Sequence, residues 1–198
     1  MSKKFLFFYV FCASTILCFV GCKGEVVNEY TTHVATFYFD FQNGSYKQSY
    51  LYPALTSSDY FCFFSTEPMD AGYKLITEVY GKKEKNVVHV TEDALTRRGR
   101  ALGLNNGLIA GRSSFQNGEL YVFDRQCPNC FNETNTKNFP LNFKDSQHDV
   151  YCDKCKRTYG LLNGGVVVAD SLNHEKNEKL LRYRATYSGE TFRIIAND

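Results

Sequence analysis

Apolar residues recur along this chain in short runs, many of them with a two-residue alternation that is typical of β-strands rather than of helices. In Val34–Phe41, alanine and phenylalanine alternate with more polar positions, so we predict a half-buried strand there. Asn43-Gly44 follows it as a turn signal. The run Tyr60–Phe64 is apolar throughout and predicts a short buried strand, in which Cys62 is a small buried hydrophobe.

Similar runs predict further strands towards the C-terminus. They are Tyr73–Tyr80, Val87–Val90, Gly107–Gly111, Glu119–Asp124 and Val166–Val168. An Asn117-Gly118 turn joins two of them into a hairpin, and a last hairpin turns at Ser188–Glu190 between Leu181–Tyr187 and Phe192–Ile195. The only helix that we predict in the chain after its N-terminal segment is Glu92–Leu104. The pattern as a whole predicts an all-β fold.

The composition supports strands and narrows the range of functions. A length of 198 residues suits one ordinary domain with a tail, and the 17 Phe and 14 Tyr favour strands. The formal charge of +2 arises from interspersed charges of both signs, which gives no electrostatic case for binding nucleic acid. No Ser/His/Asp grouping, paired-carboxylate motif or phosphate-binding loop stands out, so we do not predict an enzyme.

The N-terminus predicts export. Lys3 and Lys4 precede an apolar stretch of about 17 residues, Phe5–Gly21, as in a secretory signal peptide. The stretch runs into Phe19–Cys22, which resembles the lipobox of bacterial lipoproteins. That resemblance implies a signal peptide over residues 1–21 and a lipid on Cys22. Because the β pattern begins at His33, we expect a tether over residues 22–32 and a domain over residues 33–198.

The expected location is therefore the bacterial cell envelope. The lipid would hold the protein on a membrane, with the domain facing the periplasm or the exterior. An uncleaved signal anchor is the alternative interpretation of the same stretch.

Two Cys-x-x-Cys pairs within residues 122–168 carry the strongest chemical signal in the chain. Twenty-one residues separate the pairs, and each pair lies where an apolar run breaks into a turn. Two intervening residues let one tight turn aim both sulfurs at a point, so two such turns complete a tetrahedron around one metal ion. The predicted metal ligands are Cys127, Cys130, Cys152 and Cys155.

These cysteines allow three interpretations: a single ion, either Zn²⁺ or a rubredoxin-like Fe; a [2Fe–2S] cluster; or, in an exported protein, disulfides. A thioredoxin-type dithiol fits poorly, because such a pair opens a helix and the residues after Cys130 and Cys155 predict turn and strand. His148, four residues before Cys152, could replace a ligand or bond to a sulfur. A plain surface histidine is the preferred interpretation.

From about Leu108 to the C-terminus the chain resembles the Rieske family. A strand that ends in Val122–Arg125 leads to Cys127-Pro128, a second pair follows, and then come Tyr159-Gly160, Asn163-Gly164 and a final hairpin. The resemblance implies an antiparallel β-sandwich or barrel that carries a small metal-binding subdomain of two loops. As a whole, the chain also resembles lipoproteins of Bacteroidetes-type bacteria that contain such a domain.

The ligand set departs from the family, in which each loop supplies one cysteine and one histidine to a [2Fe–2S] cluster. Cys127 and Cys152 match the cysteine positions, whereas Cys155 replaces one histidine. Asn129 stands at the position of the other histidine, with Cys130 one residue beyond it. A cluster held by four thiolates would have a low potential, and the symmetric pairs favour a single ion instead.

We therefore expect a structural Zn²⁺ site in a membrane-anchored binding or scaffold protein. The alternative is an electron-transfer protein that carries a [2Fe–2S] cluster or a single Fe and meets a redox or envelope protein as its partner.

Overall fold

The structure is a computed structural model that describes residues 29–91 and 100–195. Within these ranges twelve strands form three antiparallel sheets, together with two short α-helices. The strands are β1 (Phe37–Asp40), β2 (Phe61–Met69), β3 (Gly72–Glu78), β4 (Asn86–Val90), β5 (Leu108–Ser113), β6 (Glu119–Asp124), β7 (Asn142–Phe143), β8 (Asp149–Tyr151), β9 (Arg157–Gly160), β10 (Val166–Asp170), β11 (Arg184–Tyr187) and β12 (Thr191–Ile195). The helices are α1 (Leu51–Thr56) and α2 (Pro128–Thr134). The all-β class predicted from the sequence is confirmed.

A five-stranded sheet in the order β4-β3-β2-β5-β6 lies at the centre of the molecule. The two outer sheets have the orders β1-β12-β11 and β10-β9-β8-β7. None of the three closes into a barrel within the described ranges, so these residues form a layered sandwich of open sheets.

The central sheet is covered on both faces, and alternate residues along its strands belong to two different cores. On β2, Cys62 and Phe64 join the core shared with β1 and β12, whereas Phe61 and Phe63 join the core that contains the cysteine pairs. Residues of β5 and β6 divide between the cores in the same way. A strand that is buried on both faces shows no alternation, which explains the uniformly apolar run Tyr60–Phe64.

One face carries what we call the aromatic layer: β1, β11, β12 and α1. Phe37 and Phe39 are 2% and 1% exposed, and Phe39 lies opposite Phe192 in the β1–β12 pairing. The rings of Phe39 and Phe41 meet edge to face, with centroids 4.7 Å apart. The strand predicted within Val34–Phe41 and the C-terminal hairpin are both confirmed.

The other face carries the cysteine layer: β7 to β10 and α2. Val150, Tyr159 and Leu161 from this layer are fully buried against the central sheet. β9 lies between β8 and β10 in the small sheet, so the residues just after the second cysteine pair stand in the middle of the layer.

The helix prediction was wrong where the structure tests it. Neither α1 nor α2 was predicted, and residues 92–99 of the predicted helix lie outside the described residues. The remainder, residues 100–104, is not helical: Ala101 and Thr36 exchange backbone hydrogen bonds of 2.8 and 2.9 Å as an isolated antiparallel bridge.

The predicted signal peptide and Cys22 also lie outside the described residues. Of the predicted tether, residues 29–32 lie against the domain: the N–H of Thr31 donates to the Arg182 carbonyl at 2.8 Å, and Glu29 forms an ion pair with the Arg182 guanidinium. No described helix is both long enough and apolar enough to cross a membrane.

Candidate metal centre

The end of β6 is fixed by a buried carboxylate just before the first cysteine pair. The fully buried Asp124 accepts hydrogen bonds from the N–H of Leu104 at 2.8 Å, the N–H of Gln126 at 2.7 Å and the hydroxyl of Tyr183 at 2.8 Å. Burial raises the pKa of Asp124, although these donors oppose the shift. These three hydrogen bonds therefore fix the backbone conformation three residues before Cys127.

The first pair lies where β6 gives way to α2. Cys127 is the N-cap residue, Pro128 stands at the start of the helix, and Cys130 lies in its first turn. The prediction that no helix follows this pair was therefore wrong. A dithiol role still gains no support, because a hydrogen bond to Cys152 and burial raise the pKa of Cys127, whereas reactive thiols at helix N-termini have lowered values.

The second pair forms the predicted turn, between β8 and β9. The N–H of Cys152 donates to the Arg157 carbonyl at 3.0 Å, and the N–H of Lys156 donates back to the Cys152 carbonyl at 2.9 Å. Lys156 has a φ of 61°, in the left-handed region that favours glycine. The N–H groups of Lys154 and Cys155 face the Cys152 sulfur, where they stabilise a thiolate.

The two turns bring four sulfurs together. All of the Sγ atoms lie within 4.8 Å of one another, and the distances from Cys127 to Cys155 and from Cys130 to Cys152 are both 3.6 Å. A tetrahedron of metal–sulfur bonds of about 2.3 Å has edges of about 3.8 Å, so the donor set fits one tetrahedral ion. It is the only such cluster of metal-binding side chains among the described residues.

The cluster is enclosed and its thiols differ in acidity. The four cysteines are at most 5% exposed and none is disulfide-bonded. A hydrogen bond from Cys127, aided by the turn amides, lowers the pKa of Cys152 to about 5. Burial raises the pKa of Cys130 to about 12. Cys152 therefore ionises more readily than Cys130, whose thiol needs a nearby cation to ionise near neutral pH.

A buried arginine lies against the sulfurs. Arg157 is only 2% exposed, and its Nη1 has no hydrogen-bond partner among the described residues. The nearest carboxylate oxygens belong to Glu133 at 3.6 Å, which is 56% exposed, and Asp170 at 4.0 Å. Burial alone lowers the pKa of Arg157, but hydrogen bonding and charge attraction to Cys155 outweigh it and raise the value. A buried cation needs a buried anion, and the cysteine thiolates supply one.

A neutral hydrogen-bond chain reaches the sulfur of Cys127. The Tyr159 hydroxyl lies 3.1 Å from this sulfur and accepts a hydrogen bond of 2.8 Å from the side-chain amide of Asn129. Because the amide donates to the Tyr159 oxygen, the hydroxyl proton is available for the sulfur. Burial raises the pKa of Tyr159, which keeps that proton in place.

An irregular segment, residues 171–180, closes over this arrangement, and we call it the strap. Asn129 bonds to its backbone twice: Oδ1 accepts from the N–H of Glu178 at 3.0 Å, and Nδ2 donates to the Glu178 carbonyl at 3.1 Å. Arg157 donates to Asn177 Oδ1 at 2.7 Å and to a strap carbonyl at 3.0 Å. Both anchoring side chains lie within two residues of a cysteine ligand.

The remaining sequence candidates lie away from the sulfurs. His148 Nε2 lies 3.0 Å from the Asp59 carbonyl oxygen, and the ring is not part of the four-sulfur cluster. Cys62 is fully buried in the core shared with the aromatic layer, where burial raises its pKa, as predicted for a small buried hydrophobe.

Sequence reasoning missed the side chains that surround the ligands: Arg157, Asn129 as an anchor, and Tyr159 as a donor to sulfur. The available signal was position, since all three lie within four residues of a cysteine ligand.

Comparisons with protein-family models, curated proteins and solved structures give no match. The resemblance to the Rieske family therefore stays a prediction.

Proposed function

We propose that this protein is a binding or scaffold protein, not an enzyme, whose cysteine layer is held together by one structural Zn²⁺ ion. The observation that carries the proposal is the enclosed set of four sulfurs within 4.8 Å of one another. Four thiolates complete the coordination of Zn²⁺ and leave no open position for a substrate, which is the arrangement of structural rather than catalytic zinc sites.

The charge balance supports a divalent ion. Four thiolates around Zn²⁺ carry a net charge of −2, and Arg157 lies buried beside Cys155 as a fixed countercharge. Without thiolates, the buried Arg157 guanidinium would keep its hydrogen bonds to the strap, but its only charged partners would be the two carboxylates at 3.6 and 4.0 Å. A buried charge in that condition destabilises a protein strongly.

Electron transfer through a single Fe or a [2Fe–2S] cluster is the second candidate. The Tyr159 hydroxyl at 3.1 Å from the Cys127 sulfur favours it, because hydrogen bonds to ligand sulfurs tune the reduction potentials of iron centres. The Rieske-like order of loops points the same way. The mutual proximity of all four sulfurs favours a single ion over two irons, since a dinuclear cluster separates the ligands of one iron from those of the other.

For the whole chain we propose a lipoprotein of the bacterial cell envelope, anchored through Cys22 and meeting its protein partner at the membrane surface. The apolar stretch Phe5–Gly21 and the lipobox-like Phe19–Cys22 support this proposal. Membrane fractionation of cells that express the wild type and Cys22→Ala tests it. If the wild type and Cys22→Ala carry the same amount of lipid label in the membrane fraction, the proposal is contradicted.

Metal analysis with an absorption spectrum tests the site, on full-length protein purified in detergent without oxygen. We expect one zinc per chain, no visible colour, and loss of the metal in Cys127→Ser/Cys155→Ser. Cys62→Ala is the matched control, because it removes a buried thiol of the other core and should keep the metal. Two irons with sulfide and a brown colour would establish the electron carrier instead. Oxidised cysteines without metal would overturn both candidates.

A further inference from the structure

A cleft outside the metal centre lies at the seam between the central sheet and the cysteine layer. Its volume is about 250 Å³, and its walls are the β3–β4 turn, residues 79–85, and β7. Junctions between packed layers and domains are common places for small-molecule sites. A water molecule occupies about 30 Å³ in the liquid, so the cleft has room for one ring-sized molecule with a polar head group.

The floor of the cleft is a rigid stack. The rings of Phe63 and Phe143 are parallel within 15°, with centroids 4.0 Å apart, and the Arg125 guanidinium lies 4.1 Å over the Phe63 ring. Arg125 is held in place by two acceptors, the Leu141 carbonyl at 3.0 Å from Nε and Glu78 Oε1 at 3.1 Å from Nη1. Among the described residues nothing accepts a hydrogen bond from its Nη2.

The cleft has more positive than negative charge. Four cationic and two carboxylate side chains line it: Lys82, Lys83, Lys85, Arg125, Glu78 and Glu84. Although burial opposes it, Arg125 and Lys85 lower the pKa of Glu78, so this carboxylate is charged and already paired. Within the described part of the chain Lys82 and Lys83 have no ion-pair partner, which leaves them available to an incoming anion.

We propose that this cleft binds a small organic carboxylate with a flat, apolar body. The unpaired Nη2 of a held guanidinium suits a carboxylate, because its N–H groups form charge-assisted hydrogen bonds to carboxylate oxygens. The two lysines add long-range attraction, and the exposed ring of Tyr80 beside Phe143 offers an apolar wall for the body of the ligand. The proposal does not depend on which metal the cysteines hold.

Amide chemical shifts of the full-length protein in detergent test the proposal, with sodium benzoate as the probe. We expect benzoate to shift the amides of residues 80–85 and Phe143. Acetate has the head group without the ring and should bind more weakly. Benzylamine has the ring with the opposite charge and should leave these amides unchanged. Shifts by benzylamine equal to those by benzoate would overturn the proposal.

A pair of double variants isolates the charge. Lys82→Ala/Lys83→Ala should weaken benzoate binding about fivefold, since two exposed cations that attract the anion are lost. Lys137→Ala/Lys176→Ala removes the same charge from exposed positions elsewhere and should leave the affinity unchanged. Arg125→Lys should weaken binding further, and the lysine pair keeps the test decisive if that variant does not fold. Equal affinities in the two double variants would contradict the proposal.

Discussion

The two faces of the central sheet are covered by layers of different character. The aromatic layer buries rings such as Phe39 and Phe192 with few polar groups between them. The cysteine layer buries four thiols together with polar and charged groups, among them Asn129 and Arg157. Apolar burial stabilises the first layer, whereas the thiols of the second layer would need a bound cation once they ionise. We therefore expect one layer that is stable alone and one that depends on its ligand.

Removing the metal should produce the largest difference in stability between the two layers. With a strong chelator we expect amide hydrogen exchange in β8, β9 and β10 to rise about 100-fold or more, because the free energy of metal binding is then lost from the cysteine layer. Exchange in β1 and β12 should stay slow. Hydrogen-exchange mass spectrometry of the loaded and stripped protein checks this. A uniform rise across both layers would show that they fold as one cooperative unit.

The opposite perturbation is a cavity in the aromatic layer. Phe192→Ala should lower the free energy of unfolding by about 3 to 5 kcal/mol, because it empties a fully buried site. The folded variant should still bind one metal ion per chain. Denaturant unfolding and metal analysis give the two readouts, and Ile195→Ala on the same strand, 45% exposed, is the control with a small effect. Loss of metal from folded Phe192→Ala would contradict the separation of the layers.

A smaller effect should follow from removing the buried countercharge. Arg157→Met keeps much of the side-chain volume but leaves the thiolates without their cation, so metal affinity should fall about 10- to 100-fold, as for other residues that support metal ligands. Arg157→Lys should retain part of the affinity. Competition with a chromophoric chelator measures both. Arg193→Met, on the aromatic layer, is the matched control, and an affinity loss equal to that of Arg157→Met would remove the special role of Arg157.

The smallest predicted effect concerns the turn of the second pair. Lys156→Gly should stabilise the loaded protein by about 0.5 to 1 kcal/mol, because a left-handed φ of 61° is strained for lysine and free for glycine. Thermal unfolding in the presence of excess zinc measures it. The same substitution at Lys154, in the same turn but without a positive φ, should not stabilise the protein. If Lys156→Gly is less stable, the contact of the Lys156 side chain with Tyr151 stabilises the protein by more than the strain at the positive φ destabilises it.

Strands were predictable where local pattern decides them. β6 has the bounds predicted for it, Glu119–Asp124, because a hairpin turn precedes it and a polar segment follows. The helices were not predictable in this way. α1 contains a proline and has no side-chain cap, and α2 is signalled only by Pro128 before a polar run. Both are short, so neither produces a strong signal in the local pattern.

The four sulfurs were predictable because the two Cys-x-x-Cys turns are local and their chemistry is specific. Their surroundings were not. A charged residue in a polar-looking sequence such as Lys154–Thr158 is normally exposed, and the closeness of Arg157 to Cys155 in sequence indicates a neighbour of the site but not that the side chain is buried. That burial depends on the strap. Asn177, the strap residue that accepts a hydrogen bond from Arg157, lies twenty residues further along the chain. Contacts of this range are decided by the topology of the sheets rather than by local pattern.

The strap has a consequence for the order of events during synthesis. Both cysteine pairs leave the ribosome before residues 171–180 do, so the chain can present all four thiols before the strap exists to cover them. Once the strap has bonded to Asn129 and Arg157, those bonds add a barrier that we expect to slow the release of an ion. We therefore expect slow metal exchange in the folded protein, with the choice of metal made before the strap closes.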